Sequence, residues 1–475
     1  MLNLQPETVW HYFEEISGIP RCSGNEEGIR EYILTRGKEA GLEAEVDDTG
    51  NVLLMDGASA VPGFVLQSHM DMVCEKNSDV EHDFASDPIR PKAKNGWVTA
   101  EGTTLGADNG IGVAIALAVA TGDFDFGPMD YLFTVDEERG LNGAANLEPD
   151  FLRADRLINL DSEEFGVFTI GCAGGGKTKI NLPVDRREED KGSLLEVRIS
   201  GLVGGHSGGD IDKGRANAIK LLGRLLASSL AGCSPRLIEL QGGDKHNAIP
   251  REARALLYTE ESYESYEEDL SEYFSVLAGE YEETEPEMEL DLNLISGSGR
   301  GQSVDPESTR NVLNLIRALP HGVMRYDTSL ESTVETSTNL ASVNLEGDDF
   351  GVLMSSRSSR GSRLESLRKR IEIIAGAFGG EVEHNEAYPA WQPNRETELL
   401  REAKKVFEGL SGEIPEVKVT HGGLETGIIG EKAENVEMIS IGPTVESPHS
   451  PDERVNIDSV AKFWDFLLKL LVQLS

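Results

Sequence analysis

Four short apolar runs, at residues 52–55, 64–67, 131–135 and 157–160, constrain this chain more than any other feature. Each is too brief for a buried helix and apolar at consecutive positions, as a strand covered on both faces would be. Residues 7–17 and 25–40 keep helical spacing, and 111–120 is apolar on all sides, as in a helix packed between a sheet and the rest of the protein. This alternation over roughly the first 180 residues predicts an α/β sheet. Three of the runs lead into polar clusters: His69-Met70-Asp71, Asp136-Glu137-Glu138 and Asn159-Leu160-Asp161. In α/β sheets ligands gather outside the carboxyl ends of strands, so these clusters are expected on one rim. On extended backbone, positions i and i+2 point the same way, which sets Asp71 beside His69.

Two further segments offer the same chemistry, Gly106-Ala107-Asp108-Asn109-Gly110 and Ser447-Pro448-His449. Taken singly, each has a plain structural reading. His69 suits a hydrogen-bonded core histidine, Asp108 a helix N-cap, Glu137-Glu138 an exposed turn, and His449 a loop beside Pro448 and Pro451. Taken together they count differently. Two metals sharing one carboxylate, each also held by a His and a further carboxylate, need two His and three acids. His69, His449, Asp108, Asp161 and one of the adjacent glutamates meet that count. The other glutamate is then left as a general base for the attacking water. Imidazole and carboxylate donors without thiolate suit zinc, with cobalt or manganese as alternatives.

At 475 residues the chain exceeds what one core usually supports, so two domains are expected. A formal charge of −40, from 44 basic and 84 acidic residues, repels nucleic acid and anionic membranes; it also fits a salt-adapted host. No apolar run reaches the length of a membrane span. The first residues lack the basic and apolar segments of a secretory leader. Cys22, Cys74, Cys172 and Cys233 are widely spaced without a Cys-x-x-Cys pair and read as reduced thiols of a cytoplasmic protein.

The character changes near residue 185, where 185–192 reads as a charged linker. We expect a catalytic domain from 1–185 and 384–475, interrupted by an α+β domain at 186–383. The acidic stretch 260–285 reads as a solvated helical face. Gly171-Cys172-Ala173-Gly174-Gly175-Gly176-Lys177-Thr178 matches the phosphate-loop pattern, which would make a nucleotide-binding protein the rival of another class. Such a loop must open a helix, yet residues 179–185 alternate and break at Pro183, so a glycine turn near the domain hinge is the better reading. Gly204-Gly205-His206-Ser207-Gly208 sets a His in a Gly-rich turn. Residues 245–250 and the Ser-rich 355–360 are modest signals by themselves.

Several of these segments resemble the di-zinc peptidase family that includes carnosine-type dipeptidases, carboxypeptidases and aminoacylases. The signatures are 67–73, 104–112, Asp136-Glu137-Glu138, 204–208 and 247–252, and the likeness covers nearly the whole chain. It is strongest toward the Xaa-His dipeptidase branch; where the wider family has two acids, this chain has Asp108-Asn109. The resemblance implies a mixed-sheet zinc-exopeptidase fold, with 186–383 as a lid and dimerisation-type domain of a homodimer, and hydrolysis of unblocked dipeptides, with Xaa-His and carnosine-like substrates foremost. It implies that Asp108 bridges two metals, His69 and Asp161 hold one, and Glu138 and His449 hold the other. Glu137 would be the general base, Asp71 the carboxylate fixing the His69 tautomer, and His206 the donor to the tetrahedral oxyanion. Asn247 and Arg357 would meet the substrate carboxylate, with Arg360 a near rival, and Gly423 in the segment 421–425 would line the substrate cleft. An amidohydrolase of N-acyl amino acids or a tripeptidase are the same-fold alternatives.

Overall fold

The computed structural model describes residues 2–475 apart from 58–61, 149–150, 191, 232–234, 297–300, 329, 331 and 434–435. Two units divide the chain. One is Met1–Cys172, Trp391–Thr420 and Leu424–Ser475; the other is Ala173–Ala390 with His421–Gly423. The cuts fall at 172/173 and 390/391, not at 185/186 and 383/384. The charged stretch expected as a linker is a sheet edge: Arg186–Glu189 pairs antiparallel with Gly301–Val304, and Glu189 is buried against Arg236 at 2.6 Å. Charge density marks exposure, and an edge strand is exposed without being a boundary.

In the first unit the apolar runs become strands. We number them β1 Glu43–Val46, β2 Val52–Met55, β3 Phe64–His69, β4 Met129–Thr134, β5 Arg156–Asn159, β6 Val167–Cys172, β7 Glu416–Thr420 and β8 Glu437–Ser440. They form one mixed sheet in the order β1-β2-β4-β3-β5-β8-β6-β7. The central four, β4, β3, β5 and β8, run parallel, so their carboxyl ends share one rim. Every residue of β2, β3 and β4 is buried, which is why these strands are apolar at consecutive positions. Helices α1 (Glu7–Ser17), α2 (Glu27–Glu39) and α3 (Ala107–Ala120) cover the sheet, and α3 packs against both α1 and β3. Being enclosed, α3 is apolar all round: each residue from Asn109 to Val119 is buried. A separate four-stranded sheet pairs Val445–Glu446 with Arg454–Asn456, and His449 lies in the loop between them.

The cysteines depart from expectation. Cys22 and Cys74 form a disulfide with Cα atoms 5.7 Å apart, while Cys172 is a buried free thiol and Cys233 lies outside the described residues. Spacing hid the pair because residues 22 and 72 meet through a parallel backbone bridge, which sequence separation does not reveal. Among the described residues no helix is long and apolar enough to cross a membrane.

The second unit is built on a nine-stranded sheet. Its strands include Ser193–Ser200, Arg236–Gly242, Ala253–Thr259, Val334–Glu346, Asp349–Ser358 and Gly174–Pro183. The helices Ala218–Ser228 and Pro306–Ala318 bury Leu221, Leu222, Leu225, Val312, Leu315 and Ile316 in its core. The acidic stretch is the helix Tyr263–Glu280, which buries only Tyr266, Leu270 and Leu277. The phosphate-loop look-alike falls at the boundary between the units, and it is strand, not turn. Gly174–Pro183 pairs along its length with Asp349–Ser358. Its glycines answer to packing: a Cβ at Gly174 would lie 2.6 Å from Ala390 N and one at Gly176 3.0 Å from the Arg368 guanidinium. No helix opens after Lys177, so the anion cradle that a nucleotide requires is missing from these residues.

Candidate active site

The rim of the first unit assembles the expected cluster. His69 is the last residue of β3; Glu137 and Glu138 follow β4, and Asp161 follows β5. Asp108 begins α3 with non-helical dihedrals (φ −83°, ψ 109°), which turn its carboxylate from a capping position toward the histidines. His69 Nε2 lies 3.1 Å from Asp108 Oδ1 and 3.3 Å from Asp161 Oδ1. On the other side His449 Nε2 lies 3.1 Å from Asp108 Oδ2 and 3.0 Å from Glu138 Oε2. Asp108 therefore offers one oxygen to each imidazole. The backbone here is unusual: Asp136, Ser447 and His449 have φ of 53°, 55° and 59°. Non-glycine residues seldom adopt such values, and they concentrate at functional sites.

Asp71 sits behind His69, with Oδ1 3.4 Å from Nδ1. It accepts hydrogen bonds from Glu137 N (3.0 Å), Glu138 N (3.2 Å) and Ser23 Oγ (2.7 Å), so it also orients the turn carrying both glutamates. Burial works against its charge, but His69 and these donors hold its carboxyl down at about 2. Asn109 Nδ2 donates to Leu160 O at 2.9 Å, a bond that a carboxylate at this position would not make.

The electrostatics follow from crowding acids around imidazoles. Burial disfavours the charged form of His69, yet Asp161, Asp108 and Asp71 raise it well above its ordinary value. Hydrogen bonds to Asp108 and Glu138 push His449 up to about 11. Burial, with Asp161, Glu138 and Glu425 nearby, raises the Glu137 carboxyl well above the usual carboxylate range.

These donors fit divalent cations. Among the described residues four sets have ligand atoms within 4.8 Å of one another: His69 with Asp108 and Asp161, Asp108 with Glu138 and His449, His69 with Glu137 and Glu138, and an all-carboxylate set of Glu26, Asp71 and Asp136. Among the described residues Glu138 Oε1 is buried without a hydrogen-bond partner, a costly state that a bound cation relieves. The donors are nitrogen and oxygen only, the set expected for zinc, cobalt or manganese.

Beneath the rim lies a network that sequence reading missed. Glu425, fully buried, accepts from Gln67 Nε2 and Thr134 Oγ1, each at 2.6 Å. Gln67 Oε1 accepts from Asn159 Nδ2 at 2.6 Å, and Asn159 Oδ1 accepts from Ser440 Oγ at 2.5 Å. One chain of hydrogen bonds thus ties the ends of β4, β3, β5 and β8. Burial and neighbouring acids raise Glu425 to about 7. A lone Glu after Gly422-Gly423-Leu424 gave no sign of this, because its partners lie hundreds of residues earlier.

The remaining candidates belong to the second unit. His206 pairs with Ala248 in a two-stranded ribbon, and Asn247 O accepts from Ser207 N at 2.7 Å, so His206 and Asn247 are neighbours. His206 Nδ1 accepts from Gly209 N (3.0 Å) and Gly208 N (3.3 Å), which makes Nε2 the protonated, donating nitrogen. Arg357 and Arg360 separate clearly. Arg360, with Arg325 and Arg363, pairs with the buried carboxylate of Glu335 at 3.0–3.4 Å. Arg357 is largely buried and donates to the Tyr388 hydroxyl at 3.1 Å. Gly423 packs against that tyrosine, since a Cβ there would lie 2.9 Å from its ring. Tyr388 is a further residue that the sequence gave no reason to single out.

Comparison with known proteins agrees with this geometry. The signature of peptidase family M20/M25/M40 matches residues 65–473. The cytosol non-specific dipeptidase of Escherichia coli strain K12 is 38% identical over 478 residues, covering 99% of this chain and 98% of the relative. The crystal structure of aminoacylhistidine dipeptidase from Vibrio alginolyticus superposes with a TM-score of 0.87 at 38% identity, over 99% of this chain and 97% of that one. Human carnosine dipeptidase 1 is similar in fold alone, with a TM-score of 0.54 at 13% identity over 98% of this chain and 95% of that one.

Proposed function

Because the chain belongs to peptidase family M20/M25/M40, and is thus a peptide-bond hydrolase, we propose that it is a cytoplasmic metallo-dipeptidase acting on unblocked dipeptides, Xaa-His among them. The observation carrying this reading is Asp108, whose two oxygens each meet a different imidazole. The two 38%-identical relatives, by their names a cytosol non-specific dipeptidase and an aminoacylhistidine dipeptidase, support the substrate class and the compartment.

Asp108 would be shared by two divalent ions, with His69 and Asp161 completing one site and Glu138 and His449 the other. When bound, such ions polarise the scissile carbonyl and lower the pKa of the attacking water. Glu137, the glutamate outside these two ligand sets, takes the proton of that water and passes it to the leaving amine. Asp71 keeps His69 in one tautomer and holds the Glu137-Glu138 turn. From the second unit, which we assign a lid and dimerisation role in a homodimer, His206 donates to the oxyanion through Nε2. Asn247 and Arg357 meet the substrate carboxylate and Gly423 leaves room beside it. Arg360 is the weaker choice, being committed to Glu335.

Metal analysis beside hydrolysis of dipeptides, tripeptides and N-acyl amino acids tests this reading. Two ions per chain and a preference for dipeptides are expected; a preference for the other classes would replace dipeptidase by tripeptidase or amidohydrolase. His69→Ala or His449→Ala should each strip an ion and most activity. Full metal content and rate in both variants would place the site elsewhere.

A further inference from the structure

Two buried charged residues outside the ligand set hold the loop from which Asp108 emerges. Glu453, 2% exposed, accepts hydrogen bonds from Leu105 N (2.7 Å) and Gly106 N (2.8 Å) on Oε2 and from Asp108 N (3.1 Å) on Oε1. Arg21, also 2% exposed, lies between α1 and α2. Its guanidinium donates to Met70 O and Asp71 O, each at 3.0 Å, and to Gly106 O. The fit is close: Gly106 has φ +69°, and a Cβ there would lie 2.5 Å from the Arg21 guanidinium and 2.6 Å from Met72 Sδ. Glu453 accepts from one side of the Gly106 peptide region and Arg21 donates to the other.

Position along the chain gives the pair its reach. Glu453 follows His449 by four residues, and its own amide donates to Ser450 O at 3.0 Å, closing the turn after that histidine. Arg21 binds the two residues directly after His69. Three segments distant in sequence, carrying His69, Asp108 and His449, are therefore referenced to two side chains that meet at the Gly106 peptide region. Neither side chain has another role in the mechanism above, and two fully buried opposite charges are costly to retain for stability alone.

We propose that Arg21 and Glu453 are positioning residues that fix the Asp108 carboxylate midway between His69 and His449, and so set the affinity of the shared metal site. The proposal rests on the assignment of Asp108 as the bridging ligand. A carboxylate accepts all three backbone N–H groups, whereas a glutamine offers only one accepting oxygen and removes one of the four carboxylate charges, with Asp71, Asp108 and Glu138, that act on Arg21.

The test is competition between the purified apo-protein and a chromophoric chelator for Zn²⁺, with kcat and KM for an Xaa-His dipeptide at saturating metal. Glu453→Gln should weaken zinc binding on the order of ten- to a hundredfold, the usual effect of removing a partner behind a ligand. kcat should fall on the order of tenfold, and KM should stay within about twofold, since no substrate contact is lost. At limiting zinc the rate should fall further, and added zinc should return it only to the lowered saturated value. Where Glu453→Gln does not fold, as judged by far-ultraviolet circular dichroism of the apo-protein, Arg21→Lys carries the same readouts, because it keeps the charge and loses the fork. A folded variant that binds zinc as the parent does overturns the proposal, and so does failure of both variants to fold, which would make the pair purely architectural. A parent that binds no zinc removes both this proposal and the metallopeptidase reading. A parent that binds zinc but leaves dipeptides intact removes only the substrate assignment.

Discussion

Histidines in the two units meet opposite surroundings. In both, burial disfavours the charged imidazole; the neighbours decide the outcome. In the first unit carboxylates of Asp161, Asp108, Asp71 and Glu138 raise His69 well above its ordinary value and His449 to about 11. In the second, His321 near Lys220 falls to about 4, and His421 near Arg357 and His206 falls to about 3. His246, near Lys177, Arg357 and Lys245, is also lowered. One region is laid out to hold positive charge among its imidazoles. The other favours the neutral form of His321, His421 and His246 beside cations, an environment suited to a substrate carboxylate. In a chain of net charge −40 that second environment is a local exception, and it supports Arg357 and Asn247 as the carboxylate contacts.

The contrast breaks most decisively at Glu137, the first-unit acid proposed not to be a ligand. Glu137→Gln should keep its metal while turnover falls by roughly two to four orders of magnitude. Joint loss of metal and activity would show that Glu137 and Glu138 exchange roles, as the alternative donor set of His69, Glu137 and Glu138 allows. The next effect belongs to the second unit. His206→Ala should lower kcat on the order of a hundredfold, leaving metal content and KM nearly unchanged. An unchanged kcat would reduce His206 to a turn residue.

A third test reads the neutral histidines by pH. His321 has its folded pKa lowered to about 4 and ordinarily titrates near 6.5. The unfolded chain therefore binds the extra proton between these values. The stabilisation is complete above about pH 6.5 and is lost as pH falls toward about 4, a change of about 3 kcal/mol. Denaturant unfolding across that window should show the slope, and His321→Asn should flatten it. Equal slopes in parent and variant would mean that His321 is protonated in the fold. The smallest effect is expected from Lys177→Ala, which should leave hydrolysis and stability nearly unchanged. A nucleotide dependence abolished by that change would revive the phosphate-loop reading of Gly171 to Thr178.

What the chain discloses before folding depends on how far apart the cooperating residues lie. β2, β3, β4 and β5 are legible because burial on both faces demands consecutive apolar residues, and His69, Glu137, Glu138 and Asp161 are legible because each ends or follows such a strand. His449 joined them only through the count of ligands and the family resemblance, since the loop holding it carries no periodic signal. Arg21, Glu425, Glu453 and the Cys22–Cys74 bond stayed hidden. Glu453 serves Gly106 across 347 positions, and Glu425 serves Gln67 across 358. Nothing local to a glutamate records such a partner. The strand Arg186–Glu189 was misread for the complementary reason, that its local charge was informative about solvent and silent about pairing.

The place of β8 in the sheet has a consequence for how the protein is made. β8 stands between β5 and β6, with Glu437–Ser440 paired to Arg156–Asn159 on one side and Ser440 to Thr169 on the other. A ribosome delivers β5 and β6 early and β8 only after the whole second unit has been translated. Until then β6 has no neighbour from the earlier part of this sheet, and His449 does not exist. The second unit lies contiguously between them, apart from His421–Gly423, and has nearly all its strands in hand as it emerges. Domains that fold during synthesis do so as their strands become available, so the nested unit is set to fold first and the catalytic sheet to close late. A peptidase assembled in that order has no complete metal site until translation has passed residue 449.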